Sequence, residues 1–89
     1  MTICRHVYYS GRVQGVGFRY TAQALAGREG ITGFVRNLTD RRVELVAEGP
    51  AADVERFLEL LRRTMDGYVE SASEREETPQ GFQDFQIVR

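Results

Sequence analysis

The chain has a single cysteine, Cys4, so no internal disulfide can form, and nothing argues for an oxidising compartment. A buried or edge thiol is the plain expectation for Cys4. One histidine is present, His6, with no Cys, Asp or second His at ligand spacing, so no metal site is expected. Charge of neither sign dominates. The formal net charge is −1, which implies no general affinity for nucleic acid or anionic membrane, so any anion binding must come from local arrangement. No apolar run is long enough to span a bilayer, and the N-terminus has no apolar signal core. The expected location is the cytoplasm. No low-complexity linker interrupts the 89 residues, so residues 1–89 read as one small domain. At that size roughly 60 to 70% of the unfolded chain's surface can be buried, enough for one core and a shallow site.

What the chain does have is a glycine-rich stretch, Gly11-Arg12-Val13-Gln14-Gly15-Val16-Gly17-Phe18-Arg19. Glycine reaches positive φ without steric cost, so such a run can fold back tightly. A tight loop aims several backbone N–H groups inward and makes an anion cradle. Arg19 closes the run at the start of a helix and adds a planar, permanently charged fork suited to phosphate.

The remaining pattern supplies a scaffold. Residues 5–10 read as a strand, with Val7 and Tyr9 on one face and His6 and Tyr8 on the solvent face. Residues 18–28 read as a helix burying Phe18, Ala22, Leu25 and Ala26, with Gly27 and Gly30 as stop signals. Residues 31–37 and 42–48 read as a hairpin, in which Val43, Leu45 and Ala47 face in and Glu44 and Glu48 face out. After Gly49-Pro50, residues 51–65 carry the stripe Val54, Phe57, Leu58, Leu61 and Met65, which is core. Residues 68–77 are weakly apolar and charged, which fits an edge strand. Phe82, Phe85 and Ile87 close the chain in a short strand. The order is β-α-β-β-α-β with a short extra C-terminal strand. It predicts an α+β, ferredoxin-like sandwich: one antiparallel sheet with two helices on one face. That fold hosts many functions and cannot supply one alone.

The loop's residues exclude several kinds of phosphate chemistry. A Walker A loop needs Gly-Lys followed by Ser or Thr, and here the loop ends Gly17-Phe18-Arg19. A cysteine-dependent phosphatase needs Cys six residues before the arginine, where Val13 stands. No Asp-x-Asp pair and no metal-ligand cluster exist for an aspartyl-phosphate or two-metal mechanism. The best polar partner for the cradle is Asn37, at the end of the second strand. Its neutral amide cannot act as a general base, but it can hold a water by hydrogen bonds. No acid is at hand to protonate a leaving group. An alkoxide would need one, while a carboxylate, with a pKa of about 4, would not. An activated substrate follows, such as a mixed carboxylic–phosphoric anhydride.

Residues 11–19 resemble the acylphosphatase signature, and Gly33-Phe34-Val35-Arg36-Asn37 resembles that family's second motif. Residues 42–50 and the closing Phe85-Gln86-Ile87-Val88-Arg89 are similar to the following and terminal strands of the family. The resemblance implies a hydrolase without cofactor or metal that cleaves acylphosphates to carboxylate and inorganic phosphate. It implies that Arg19 binds the phosphate and that Asn37 positions the attacking water, with no covalent intermediate. The backbone N–H groups of Gln14, Gly15, Val16, Gly17, Phe18 and Arg19 would add phosphate contacts. The implied partners are a small-molecule acylphosphate and inorganic phosphate as product and inhibitor, not nucleic acid or membrane, and the chain is expected to be a monomer. Phe34, Thr39 and Arg41 stand where the family often has Trp, Pro and Gly. Arg12, Arg36, Arg41 and Arg42 read as solvated surface arginines that could raise the positive potential.

Three rival readings share the fold. An RNA-recognition module needs aromatics on its third strand, and residues 42–48 have none. A non-catalytic anion-binding module would not need both Arg19 and Asn37. An acylphosphatase-like domain opening a larger carbamoyl-transfer protein would be followed by zinc-finger-like cysteines, which this sequence does not contain, so a free-standing enzyme is expected.

Overall fold

The computed structural model describes residues 1–89. Its elements run β1 (Thr2–Gly11), α1 (Phe18–Glu29), β2 (Thr32–Asn37), β3 (Val43–Pro50), α2 (Ala51–Thr64), β4 (Val69–Glu77) and β5 (Phe85–Ile87). The strands form one sheet in the order β4-β1-β3-β2-β5. β1 lies between β3 and β4 and is antiparallel to both, and β2 is antiparallel to β3. β4 is an edge, as its charges predict.

Both helices cover one face. Val7, Tyr9, Val43, Leu45 and Ala47 from the strands meet Phe18, Ala22, Leu25 and Ala26 of α1 and Val54, Phe57, Leu58 and Leu61 of α2 in one cluster. Phe18, Phe57, Leu45 and Leu61 are completely enclosed, each contributing about 1.5–3 kcal/mol by removal from water. Gly33 lets β2 lie close to β3. Its φ is 137°, and a Cβ there would fall 1.9 Å from the Val46 carbonyl oxygen.

The structure corrects the sequence reading in four places. β5 pairs parallel with β2, so the sheet is mixed rather than antiparallel. The reason is topological. β4 and β2 run in opposite directions at opposite sides of the sheet, so a connection that stays at one end returns the chain parallel to β2. Glu48, near that end of β3, accepts hydrogen bonds from the N–H groups of Gln80, Gly81 and Phe82 and holds the connection. Phe82 therefore lies outside β5, where it packs edge-on against Phe34. Gly27 lies within α1, and Gly30 alone ends it, with its N–H donating to Ala26 O.

The fourth correction concerns the face away from the helices. His6, Glu44 and Glu48 do point away from the core, but they are buried there (9%, 5% and 5% exposed). His6 Nε2–H donates to Glu44 Oε2 at 2.7 Å, the Tyr8 hydroxyl donates to the same oxygen at 3.3 Å, and Arg36 Nε–H donates to Glu44 Oε1. His6 Nδ1 lies 3.2 Å from Glu77 Oε2 on β4. Alternation along one strand cannot reveal this, because the cover comes from side chains on three neighbouring strands.

Candidate active site

The glycine loop starts where β1 leaves the sheet. The β1–β4 register shifts between Ser10 and Gly11, and the Arg12 N–H then donates to Tyr68 O at 2.9 Å. Gly15 and Gly17 adopt φ of 78° and 81°. A side chain at either would meet open space, so backbone conformation, not room, demands glycine. Gly17 is the N-cap residue of α1. No side chain caps that end, and its first turn holds no acidic residue. The first N–H groups of a helix lack internal acceptors, and that end carries positive partial charge. An uncapped helix end behind a left-handed glycine turn is an anion-binding arrangement.

Asn37 reaches the same place from the other side. β2 runs toward the end of the sheet from which the loop springs, and Asn37 is its last residue, opposite Val43. The hairpin turn is held by the Leu38 N–H donating to Arg42 O at 2.8 Å and the Arg41 N–H donating to Leu38 O at 3.2 Å. Gln14 ties loop to hairpin: its Nε2 donates to Leu38 O at 2.8 Å and to Arg42 O at 3.0 Å.

Between loop and hairpin lies a cavity of about 170 Å³. Its lining is the loop residues Val13, Gly15 and Gly17, the first turn of α1 through Phe18, Arg19 and Tyr20, and Asn37. A wider cleft of about 470 Å³ opens beside it, bordered by Arg19, Tyr20, Asn37 and residues 87–89. Arg19 has no carboxylate partner anywhere in the ion-pair network. Asn37 Oδ1 is buried and has no hydrogen-bond partner. A buried, unpaired amide oxygen is costly unless something fills its valence.

Of the residues expected at the site, Gly15, Gly17, Phe18, Arg19 and Asn37 share this cavity. Gln14 and Val16 line a second cavity on the neighbouring side of the loop, with Gly11, Arg12 and Arg41. Sequence reasoning missed Tyr20, which is 71% exposed and stands at the mouth beside Arg19. An exposed aromatic one residue from a key arginine was the available signal. It also missed the tie made by Gln14, for which the sequence held no signal.

A two-layer α+β fold carrying a glycine cradle, an uncapped helix end, an unpaired arginine and an unpaired buried amide defines a protein built to hold a small oxyanion. The family model for acylphosphatase matches residues 5–87, and the chain belongs to the acylphosphatase family. It is 47% identical to an acylphosphatase of a Synechococcus strain over 83 residues, covering 92% of this chain and 88% of that one. The crystal structure of acylphosphatase from Bacillus subtilis superposes with a TM-score of 0.91 at 36% identity, covering 100% of both chains. An acylphosphatase structure from Coxiella burnetii gives 0.88 at 33% identity, covering 98% of this chain and 93% of that one.

Proposed function

We propose that this chain hydrolyses acylphosphates, with Arg19 binding and orienting the phosphoryl group and Asn37 positioning the attacking water. The observation that carries the reading is the buried, unpaired Oδ1 of Asn37 in the same cavity as Arg19. That oxygen accepts a hydrogen bond from water and so orients a lone pair of the water toward phosphorus.

The water oxygen forms a bond to phosphorus as the bond from phosphorus to the carboxyl oxygen breaks. The electron pair leaves with the carboxylate, and the water's proton passes to an oxygen of the substrate's own phosphoryl group. No histidine, cysteine or carboxylate lines the cavity, so the lining supplies no proton acceptor at neutral pH. The carboxylate leaving group needs no acid. Rate enhancement comes from donors fixed before the reaction: the Arg19 guanidinium and the N–H groups of residues 14–19. The reaction needs no metal. The free thiol of Cys4 and the mixed-charge surface fit a cytoplasmic monomer, which fractionation and size-exclusion chromatography test.

RNA binding on the open sheet face is disfavoured because that face carries the buried carboxylates Glu44 and Glu48 on its central strand. The arginines on that face, Arg36 and Arg75, are already paired with Glu44 and Glu77.

The test is hydrolysis of benzoyl phosphate with and without chelator. Turnover should be indifferent to chelation and competitively inhibited by inorganic phosphate. Arg19→Ala and Asn37→Ala should each lose on the order of 10²–10³ in kcat while keeping the native circular dichroism spectrum. Normal turnover in either variant would sink its assigned role, and loss of turnover on chelation would sink the metal-free mechanism.

A further inference from the structure

A substrate held by its phosphoryl group in the cavity of about 170 Å³ must carry its acyl group into a neighbouring space. The wider cleft of about 470 Å³ is continuous with that cavity, since Arg19, Tyr20 and Asn37 line both. The cavity on the other side of the glycine loop shares no lining residue with it.

The walls of the cleft follow from how α1 lies on β5. Gln23 Nε2 donates to Phe85 O at 3.3 Å and ties the helix to the start of the strand. Tyr20 precedes Gln23 by three residues, so the two share one face of α1. Ile87 follows Phe85 by two residues, so the two share one face of β5. Tyr20 thus stands on the helix side of the cleft, with Ile87 and Val88 on the strand side. Phe85 is buried between the layers, whereas Ile87 is only partly buried, so the layers part at this end. The strand wall is firm. Ile87 pairs in parallel register with Val35, and the Val88 N–H donates to Val35 O at 3.0 Å.

Tyr20 is conspicuous by its exposure. Two large apolar side chains are exposed, Tyr20 at 71% and Met1, which precedes β1. The aromatic ring left in solvent is therefore the one beside Arg19. No acidic residue lines the cleft, whose charged members are Arg19 and Arg89. An aromatic ring facing two aliphatic side chains makes a slot for an apolar or flat group.

We propose that Tyr20 is the residue that reads the acyl group, its ring covering one side of that group while Ile87 and Val88 back the other. The inference rests on the acylphosphatase reading above and assigns a specificity-determining residue to that site. The bond that breaks joins phosphorus to the carboxyl oxygen, so the contact between Tyr20 and the rest of the acyl group is the same before and during the reaction. Such uniform binding acts on KM and leaves kcat alone.

The test compares benzoyl phosphate with acetyl phosphate, whose single methyl group is too small to span the slot. Tyr20→Ala should raise KM for benzoyl phosphate about tenfold with kcat within about twofold, the size expected for loss of one aromatic contact. For acetyl phosphate, KM and kcat should both stay within about twofold, as should inhibition by inorganic phosphate. Tyr20→Phe keeps the ring and should match the unaltered protein on both substrates. Equal losses on the two substrates would show that Tyr20 merely supports Arg19 and would overturn the assignment. So would an unchanged KM for benzoyl phosphate in Tyr20→Ala, or a Tyr20→Phe variant that behaves like Tyr20→Ala. Those outcomes leave the acylphosphatase reading standing. If the unaltered protein hydrolyses neither substrate, that reading fails and the acyl slot falls with it.

Discussion

Arg41 holds a backbone conformation that glycine adopts freely and other residues adopt at a cost of about 1–2 kcal/mol. Arg41→Gly should therefore stabilise the protein by about 1 kcal/mol, partly offset by the greater freedom of glycine in the unfolded chain. A higher urea midpoint with unchanged slope checks this, and an equal or lower midpoint removes the claim of strain. Cys4 behaves in the opposite way, as a residue well suited to its place. Burial, with Glu48 and Glu77 adding repulsion of the thiolate, pushes its thiol up to about 11. A thiol titrating so high is a poor nucleophile near neutral pH. A disulfide reagent at about pH 8 should label Cys4 slowly in the native protein and rapidly once denatured. Rapid native labelling would contradict the buried position. At this scale the meeting of Arg19 and Asn37 in one cavity and the burial of Cys4 were legible in the sequence, because each depends on residue chemistry and local spacing. His6 and Glu44 were not, because their burial depends on which side chains of β2 and β4 arrive across the sheet.

Elements carry the site in two halves, the loop after β1 and the hairpin after β2. Gln14 is what joins them, through its two hydrogen bonds to the Leu38 and Arg42 carbonyls. Each such bond contributes about 0.5–1.5 kcal/mol net, and both carbonyls keep a backbone donor, the Arg41 N–H on Leu38 O and the Leu38 N–H on Arg42 O, when Gln14 is lost. Gln14→Ala should thus cost about 1–2 kcal/mol in stability. Its larger effect should be on rate, since a misplacement of about 1 Å between phosphoryl group and water can cost 10²-fold. The expected outcome is kcat on benzoyl phosphate reduced about 10- to 100-fold, with inorganic phosphate inhibition changed far less. Equal losses in both would mean that the loop itself has collapsed and that Gln14 does not act by aligning the halves. Element order and both helix faces were readable because periodicity and turn residues encode them. The parallel partner of β5 was not. Three residues hold too little pattern, and the pairing follows from where the connection anchored by Glu48 crosses the end of the sheet.

Across the whole molecule the two sheet faces are held by different physics, apolar packing under the helices and a charged network on the other side. The network links β1, β2, β3 and β4 through His6, Arg36, Glu44 and Glu77. Its centre is Glu44. Burial pushes the Glu44 carboxyl up, but hydrogen bonds from Arg36 and His6 and the positive charge of Arg36 outweigh burial and hold it below the usual carboxylate range. A carboxylate with a depressed folded pKa binds fewer protons in the native state than in the unfolded chain at intermediate pH. Its stabilisation is therefore complete above the unfolded value, about 4.3, and is lost as pH falls through the lower folded value. Arg36 is 44% exposed on its side chain, so solvent screens part of its attraction. Glu44→Gln should destabilise by about 1–3 kcal/mol above pH 5, the scale of hydrogen bonds to a charged group. Below that the gap between the two proteins should close as Glu44 protonates in the parent. Urea denaturation of both proteins in steps from about pH 5.5 to 3 decides the matter. A gap that stays constant across that window would mean that Glu44 contributes shape rather than charge. Glu44 stands opposite Arg36, the residue before Asn37, but strand alternation points both to the face away from Asn37, and Glu44 lines none of the cavities around the loop. Glu44→Gln should therefore leave benzoyl phosphate turnover at neutral pH within about twofold, separating sheet cohesion from catalysis.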